Sequence, residues 1–221
     1  MTSPPKSRSS AETRGHTYTL KITLSSVEPP IWRRLRVPGG ANLGWLHAVI
    51  QVAMGWTNSH LHQFTAGEQT YSDPRFEIDM FEDDPLVLDE NEVTLRHVVP
   101  RQKDSLGYEY DFGDSWNHEI VVEQMQPCDP AAPTIAECID GARACPPDDC
   151  GGPWGYEDLL EILSHPEHEE HQSMKEWLGR PFDPEVFDHD NVNKYLRTLK
   201  WPHTSEEQLG RVLMQRDDVS E

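Results

Sequence analysis

Positive charge is what this sequence is short of: 19 Lys and Arg face 39 Asp and Glu, for a formal net charge of -20. A chain of that sign repels nucleic-acid phosphates at long range, so direct DNA binding is disfavoured while a basic partner is admitted. The one basic cluster, Arg33, Arg34 and Arg36, is too small to reverse the field and reads as the solvated face of a strand. Long hydrophobic runs are missing as well. No stretch of 18 apolar residues occurs, which excludes a membrane-spanning helix, and the first 15 residues lack the apolar centre of a secretory signal. The expected compartment is the cytosol. Cysteine is scarce, at four in 221 residues, and a reducing compartment would keep Cys128, Cys138, Cys145 and Cys150 as thiols or metal ligands rather than disulfides.

Familiar reaction signatures are also absent. There is no G-x-x-x-x-G-K-[ST] loop for nucleotide phosphates, no G-x-G-x-x-G turn, no G-x-S-x-G elbow and no H-E-x-x-H zinc helix. Neither Asp79 to Asp84 nor Asp188 to Asn193 has the central glycine and closing glutamate of an EF-hand.

What is present is ordered patterning. Residues 1–15 mix Pro, Ser and charge without periodicity and read as a flexible tail. Tyr18, Leu20, Ile22 and Leu24 then alternate with polar residues as a half-buried strand, and Ile31, Leu35 and Val37 mark a second strand returning after Pro29-Pro30. Asn42 caps a helix whose Leu46, Val49, Ile50 and Ala53 follow helical spacing and whose stop is Gly55. A small hairpin follows at 60–71. Residues 77–92 hold eight carboxylates and no Lys or Arg, which predicts a solvated acidic loop with one short strand at 86–88.

The segment from Tyr108 to Glu123 is an aromatic hairpin. Tyr108, Tyr110 and Phe112 share a face, Gly113-Asp114-Ser115 turns the chain, and Trp116, His118, Ile120 and Val122 share a face of the return arm. From Cys128 to Trp154, cysteines, prolines and glycines crowd together and predict a long structured loop without strand or helix. The last third carries helical stripes at Tyr156 to Leu163, Met174 to Leu178 and Val192 to Leu199, with Phe182-Asp183-Pro184 as a helix restart. Strands first and helices last give an α+β class: a mostly antiparallel sheet of hairpins packed by helices, with a helical C-terminal third. The domain spans residues 16–200, and 201–221 form a C-terminal extension with a short helix near 205–214.

Four motifs in order, Pro30-Ile-Trp-Arg-Arg34, Gly55-Trp-Thr-Asn-Ser-His-Leu-His-Gln-Phe64, Tyr110-Asp-Phe-Gly-Asp-Ser-Trp-Asn-His118 and Cys145-Pro-Pro-Asp-Asp-Cys-Gly-Gly-Pro-Trp-Gly-Tyr156, resemble the plasmid pRiA4b ORF-3-like family over about residues 16–200. The resemblance implies a single bacterial α+β domain associated with plasmids and mobile elements. Some members are labelled transposon resolvases without a demonstrated activity, and the family supplies no catalytic residues to carry over. A serine resolvase would need a cationic nucleophile site and a DNA-binding arm, and this acidic chain has neither.

Three constellations carry candidate chemistry. Cys128, Cys138, Cys145 and Cys150 could close a structural zinc site, though their spacing is wider than the close pairs usual for zinc; free thiols or a redox pair fit the same residues. His60, His62, Asp111, Asp114 and His118 would form a divalent-metal site if the two hairpins are neighbours, and a hydrolase could use it to activate water; otherwise Asp114 caps a turn and His118 is packed. Trp32, Trp56, Trp116 and Trp154 would form a partner surface if exposed. The reading that follows is a non-enzymatic binding or accessory module for an unidentified protein partner, with the metal-dependent hydrolase as its alternative.

Overall fold

The computed structural model describes residues 15–78, 86–128, 135–200 and 204–217. Most of the tail at 1–15, the segment Asp79 to Asp84, and the ends of the 201–221 extension lie outside these residues. In chain order the elements are β1 (His16–Leu24), β2 (Trp32–Pro38), α1 (Leu43–Met54), β3 (His62–Ala66), β4 (Gln69–Ser72), β5 (Val87–Asp89) and α2 (Leu95–Val98). They continue with β6 (Ser105–Tyr110), β7 (Trp116–Pro127), β8 (Glu137–Ala142), α3 (Gly152–Ser164), α4 (His171–Leu178), α5 (His189–Leu196) and α6 (Glu206–Asp217).

The strands form one eight-stranded sheet in the order β5-β4-β3-β6-β7-β1-β2-β8, antiparallel throughout except for the parallel β4–β5 pair. The α+β expectation holds. On the covered face, Tyr18, Leu20, Ile22 and Leu24 of β1 meet Leu35 and Val37 of β2 and Ile120 and Val122 of β7, all buried. Alternation of this kind leaves the other face to water. There Arg34 pairs with Glu123 at 2.6 Å and Asp140 at 2.8 Å, and Arg36 pairs with Glu137 at 2.5 Å.

Helix α1 lies across the covered face. Asn42 caps it by accepting from the Trp45 amide at 2.8 Å, and Gly55 ends it at φ 107, a conformation that disfavours any side chain. Eleven of its residues are buried, because α5 and α6 close over the side turned away from the sheet. Its nearly continuous apolar sequence is what a helix covered all round requires. Leu209 and Leu213 of α6 join the core, and Arg216 of α6 donates to the Trp56 carbonyl at 3.1 Å.

Several expectations need correction. Arg33 is on the core face, not the solvated one: its guanidinium donates to the carbonyls of Ala53, Trp32 and Ala142 at 2.8 to 2.9 Å and lies 4.0 Å over the Phe187 ring. The Cys128 to Trp154 stretch contains β8, an edge strand where a glycine and one-sided pairing are tolerated. Asp183-Pro184 makes a turn; the helix starts later, at Asp188, whose carboxylate accepts from the Asn191 amide at 2.9 Å. Phe112 leaves the face of Tyr108 and Tyr110, because Asp111 at φ 57 already begins the turn. Among the described residues no helix is long and apolar enough to cross a membrane.

Candidate functional site

Two polar residues interrupt the apolar sequence of α1, His47 and Gln51, four apart and so on one face. Both are buried, and their hydrogen bonds form a closed circuit with two partners. The Asn58 amide donates to Gln51 Oε1 (2.9 Å) and Gln51 Nε2 donates to the Tyr108 hydroxyl (3.1 Å). Tyr108 is then free to donate to His47 Nδ1 (2.9 Å), and His47 Nε2 donates to Asn58 Oδ1 (2.7 Å). An amide oxygen can only accept, so the circuit fixes His47 as its neutral Nε2–H tautomer.

His62, the first residue of β3, stacks on His47 with ring centroids 3.4 Å apart, and its Nε2 lies 2.9 Å from Glu90 Oε2. Glu90 is 3% exposed, although its sequence neighbourhood reads as a solvated acidic loop. Its backbone is fastened on both sides, the amide to the Ser72 carbonyl and the carbonyl to the Leu43 amide at the start of α1. Gly44 makes room for the side chain, since a Cβ there would stand 3.0 Å from Glu90 Oε1 and 2.4 Å from Asn91 Oδ1.

Burial penalises charge on each of these groups. It lowers His47 and His62 to about 3, with the stacked partner adding to the effect on His47, and raises Glu90 to about 7. Below neutral pH the proton therefore sits on Glu90, which donates to His62 Nε2. His62 then carries its own proton on Nδ1, a buried nitrogen with no hydrogen-bond partner.

These residues open on a cavity of about 660 Å³ that Asp73, Arg75, Phe76 and His60 line on one side and Ser205, Glu206 and Glu207 of the α6 end on another. Its one guanidinium, Arg75, is held by Asp73 and by Glu206 (2.8 Å). Asp73, Glu90, Glu206 and Glu207 leave the lining acidic. A second cavity of about 730 Å³, beside Pro146, Pro147 and Phe187, has its buried cations Arg33 and Arg216 already committed to backbone carbonyls.

The histidine and aspartate candidates divide. His60 and Asp111 do meet, with His60 Nε2 3.5 Å from Asp111 Oδ2, and the structure adds Asp149, whose Oδ1 is 3.2 Å from the same nitrogen. Asp114 instead accepts from the Gly151 amide at 3.2 Å, joining the hairpin turn to the loop before α3. His118 faces the core, edge-on to Trp56 and 3.3 Å from the Tyr108 carbonyl, and burial lowers it to about 4. His62 belongs to the Glu90 pair.

The cysteines do not assemble. Among the described residues, the ligand cluster contains no cysteine, and none of the four is in a disulfide. Cys128 follows β7, its amide donating to the Gly15 carbonyl at 2.9 Å, while Cys138 sits in β8 with its sulfur 3.3 Å from the Asp140 carbonyl. Burial raises the thiols of Cys138 to about 11 and Cys150 to about 12, and also raises Cys145, which keeps them protonated.

Of the tryptophans, Trp56 and Trp116 are core residues and present no surface to a partner. Trp32 is half-buried on the open face of the sheet, beneath Lys21 and Arg34. Trp154 is 84% exposed on α3. The residues that sequence patterning missed are His47, Glu90 and Asp149; the overlooked signals were the two polar positions in an apolar helix and the glycine at 44 inside it.

Similar proteins share this framework. A curated relative, the uncharacterized protein y4hQ of Sinorhizobium fredii (strain NBRC 101917 / NGR234), is 39% identical over 187 residues, covering 82% of this chain and 92% of its own. A crystal structure of a protein of unknown function from Methanosarcina mazei Go1, MM3350, superposes with a TM-score of 0.71 at 34% identity, covering 81% of this chain and 99% of that one. The sequence profile of the plasmid pRiA4b ORF-3-like proteins matches residues 16–191, and the chain belongs to that family.

Proposed function

We propose that the protein is a binding module whose acidic cavity receives a small cationic group, an amine or guanidinium, on Glu90. The observation that carries this reading is the Glu90 carboxyl itself. It is held almost out of water at the wall of a cavity, and among the described residues its ion-pair partner is a neutral imidazole, not a cation of the chain. Burying a carboxyl without a countercharge is costly, and a ligand cation would supply that countercharge. The net charge of -20 favours approach of such a ligand.

The metal-dependent hydrolase remains an alternative reading with narrower support, the His60–Asp111 pair. Its other members, His62, Asp114 and His118, have separate partners.

Titration of the protein with methylguanidinium and methylammonium, followed by NMR at pH 8, tests the proposal. One or both cations should give saturable shifts at the Gly44 amide and the His62 ring, the neutral isostere urea should not, and Glu90→Gln should abolish the response. Equal responses to urea, or none to either cation, would overturn it.

A further inference from the structure

Outside the Glu90 pair, one cluster among the described residues has the composition and spacing of a ligand set. We infer that His60, Asp111 and Asp149 form a binding site for one divalent first-row metal cation, with a nitrogen and two carboxylate oxygens as ligands and the remaining positions open to water.

The spacing is the first argument. His60 Nε2 stands 3.5 Å from Asp111 Oδ2 and 3.2 Å from Asp149 Oδ1. Charge-assisted N–H···O bonds close to roughly 2.7–2.9 Å, so both contacts are long for direct pairing. Donors bound at roughly 2.0–2.2 Å from a shared cation are instead about 3.0 Å apart at octahedral angles and about 3.4 Å at tetrahedral ones. The three ligand atoms lie within 4.8 Å of one another.

The second argument is an unpartnered atom. His60 Nε2 is buried and makes no hydrogen bond, although it points at two carboxylates. Asp111 has a side chain only 10% exposed, and among the described residues neither it nor Asp149 pairs with Lys or Arg. Two carboxylates and a neutral imidazole carry a charge of -2, which a divalent cation cancels.

Third, the ligands are held in place from behind. Asp111 Oδ1 accepts from the amides of Gly113 (2.9 Å) and Asp114 (3.3 Å), leaving Oδ2 for the site. The Asp111 amide donates to the Leu61 carbonyl at 2.9 Å, tying it to the His60 segment. Asp114 Oδ2 accepts from the Gly151 amide, tying it to the Asp149 loop. Gly152 allows that contact, since a Cβ there would lie 2.5 Å from the Asp114 carbonyl oxygen. Each ligand comes from a different one of the motifs 55–64, 110–118 and 145–156, the runs that carry the family resemblance. Asp149 is 71% exposed, which leaves an approach from solvent, and His60 also lines the acidic cavity.

The test is calorimetry of the chelator-treated full chain with Mn²⁺ and with Zn²⁺, together with Mn²⁺ electron spin-echo spectroscopy. One cation per chain should bind, with coupling to a single imidazole nitrogen. Asp111→Asn keeps an oxygen for the Gly113 amide, and with His60→Gln it should weaken binding at least tenfold. Glu90→Gln and replacement of all four cysteines by serine should leave binding unchanged. In the unsubstituted chain, Mn²⁺ should broaden the amides of Gly113 and Asp114 before those near His118. Absence of stoichiometric binding, binding unaffected by both ligand variants, or binding lost with the cysteines would overturn the inference. Cation binding to the Glu90 cavity is read separately, by the organic probes.

Discussion

The imidazole rings of His47 and His62 lie face to face, 3.4 Å between centroids and 3° from parallel, in the interior of the protein. Two imidazoliums could not share that geometry, and burial keeps each ring neutral, which leaves the mobile proton to Glu90. From this arrangement the acid–base behaviour of the fold can be worked out.

Glu90 should make the protein less stable as the pH rises. Its pKa is about 7 folded against 4.5 unfolded, so between those values the unfolded chain has released a proton that the folded one keeps. The penalty is absent below pH 4.5 and complete above 7, on the order of 3 kcal/mol from the 2.5-unit difference. Glu90→Gln should therefore be more stable than the unsubstituted protein at pH 8, with the gap closing by pH 4.5 in urea melts. A constant gap would assign Glu90 no titration in this range.

His118 should act in the opposite sense. Its pKa is about 4 folded against 6.5 unfolded, so acidification protonates the unfolded chain first. Its contribution is complete above pH 6.5 and lost as the pH falls toward 4, again on the order of 3 kcal/mol. His118→Phe should flatten the acid limb of the stability curve between pH 6.5 and 4.

Tyr108→Phe opens the Asn58–His47–Tyr108–Gln51 circuit. It leaves His47 Nδ1 and Gln51 Nε2 buried without their shared partner, a loss of about 1–3 kcal/mol. The His47 ring should keep its Nε2–H tautomer, because the Asn58 oxygen still accepts from Nε2, and the nitrogen-15 shifts of the imidazole would show it. A mixed tautomer would mean that the Tyr108 hydroxyl shares in fixing it.

Arg33→Lys should destabilise the fold by about 2–4 kcal/mol despite the retained charge. An ammonium cannot reach three carbonyls in the plane of the fork and also stack on Phe187. Thermal melts of Arg33→Lys and Arg33→Met would separate the planar geometry from the charge.

Local periodicity made much of the scaffold legible. Asn42 and Gly55 bounded α1 because capping chemistry is local, and the alternation in Tyr18 to Leu24 showed its buried face because a strand has a period of two. Arg33 and Glu90 were misread for one reason: each is a charged residue among charged neighbours, and what buries it comes from far along the chain, Ala142 and Phe187 for the first, Leu43 and His62 for the second. The His60–Asp111 meeting could be anticipated from hairpin adjacency, whereas Asp149 arrived by a loop whose path depends on the Asp114–Gly151 contact. The helix restart at Asp183 failed because Asp188 offers a competing cap five residues on.

Helix α6 supplies Glu206 and Glu207, and Ser205 just before it, to the cavity that His47, His62 and Glu90 also line. During synthesis from the N-terminus, the sheet and α1 leave the ribosome well before that helix does. A nascent chain stalled before residue 204 would hold the Glu90 pair behind an unfinished wall. A chain clipped ahead of α6 would likewise lose the Glu206 carboxylate that braces Arg75, leaving that guanidinium with Asp73 alone at the cavity wall.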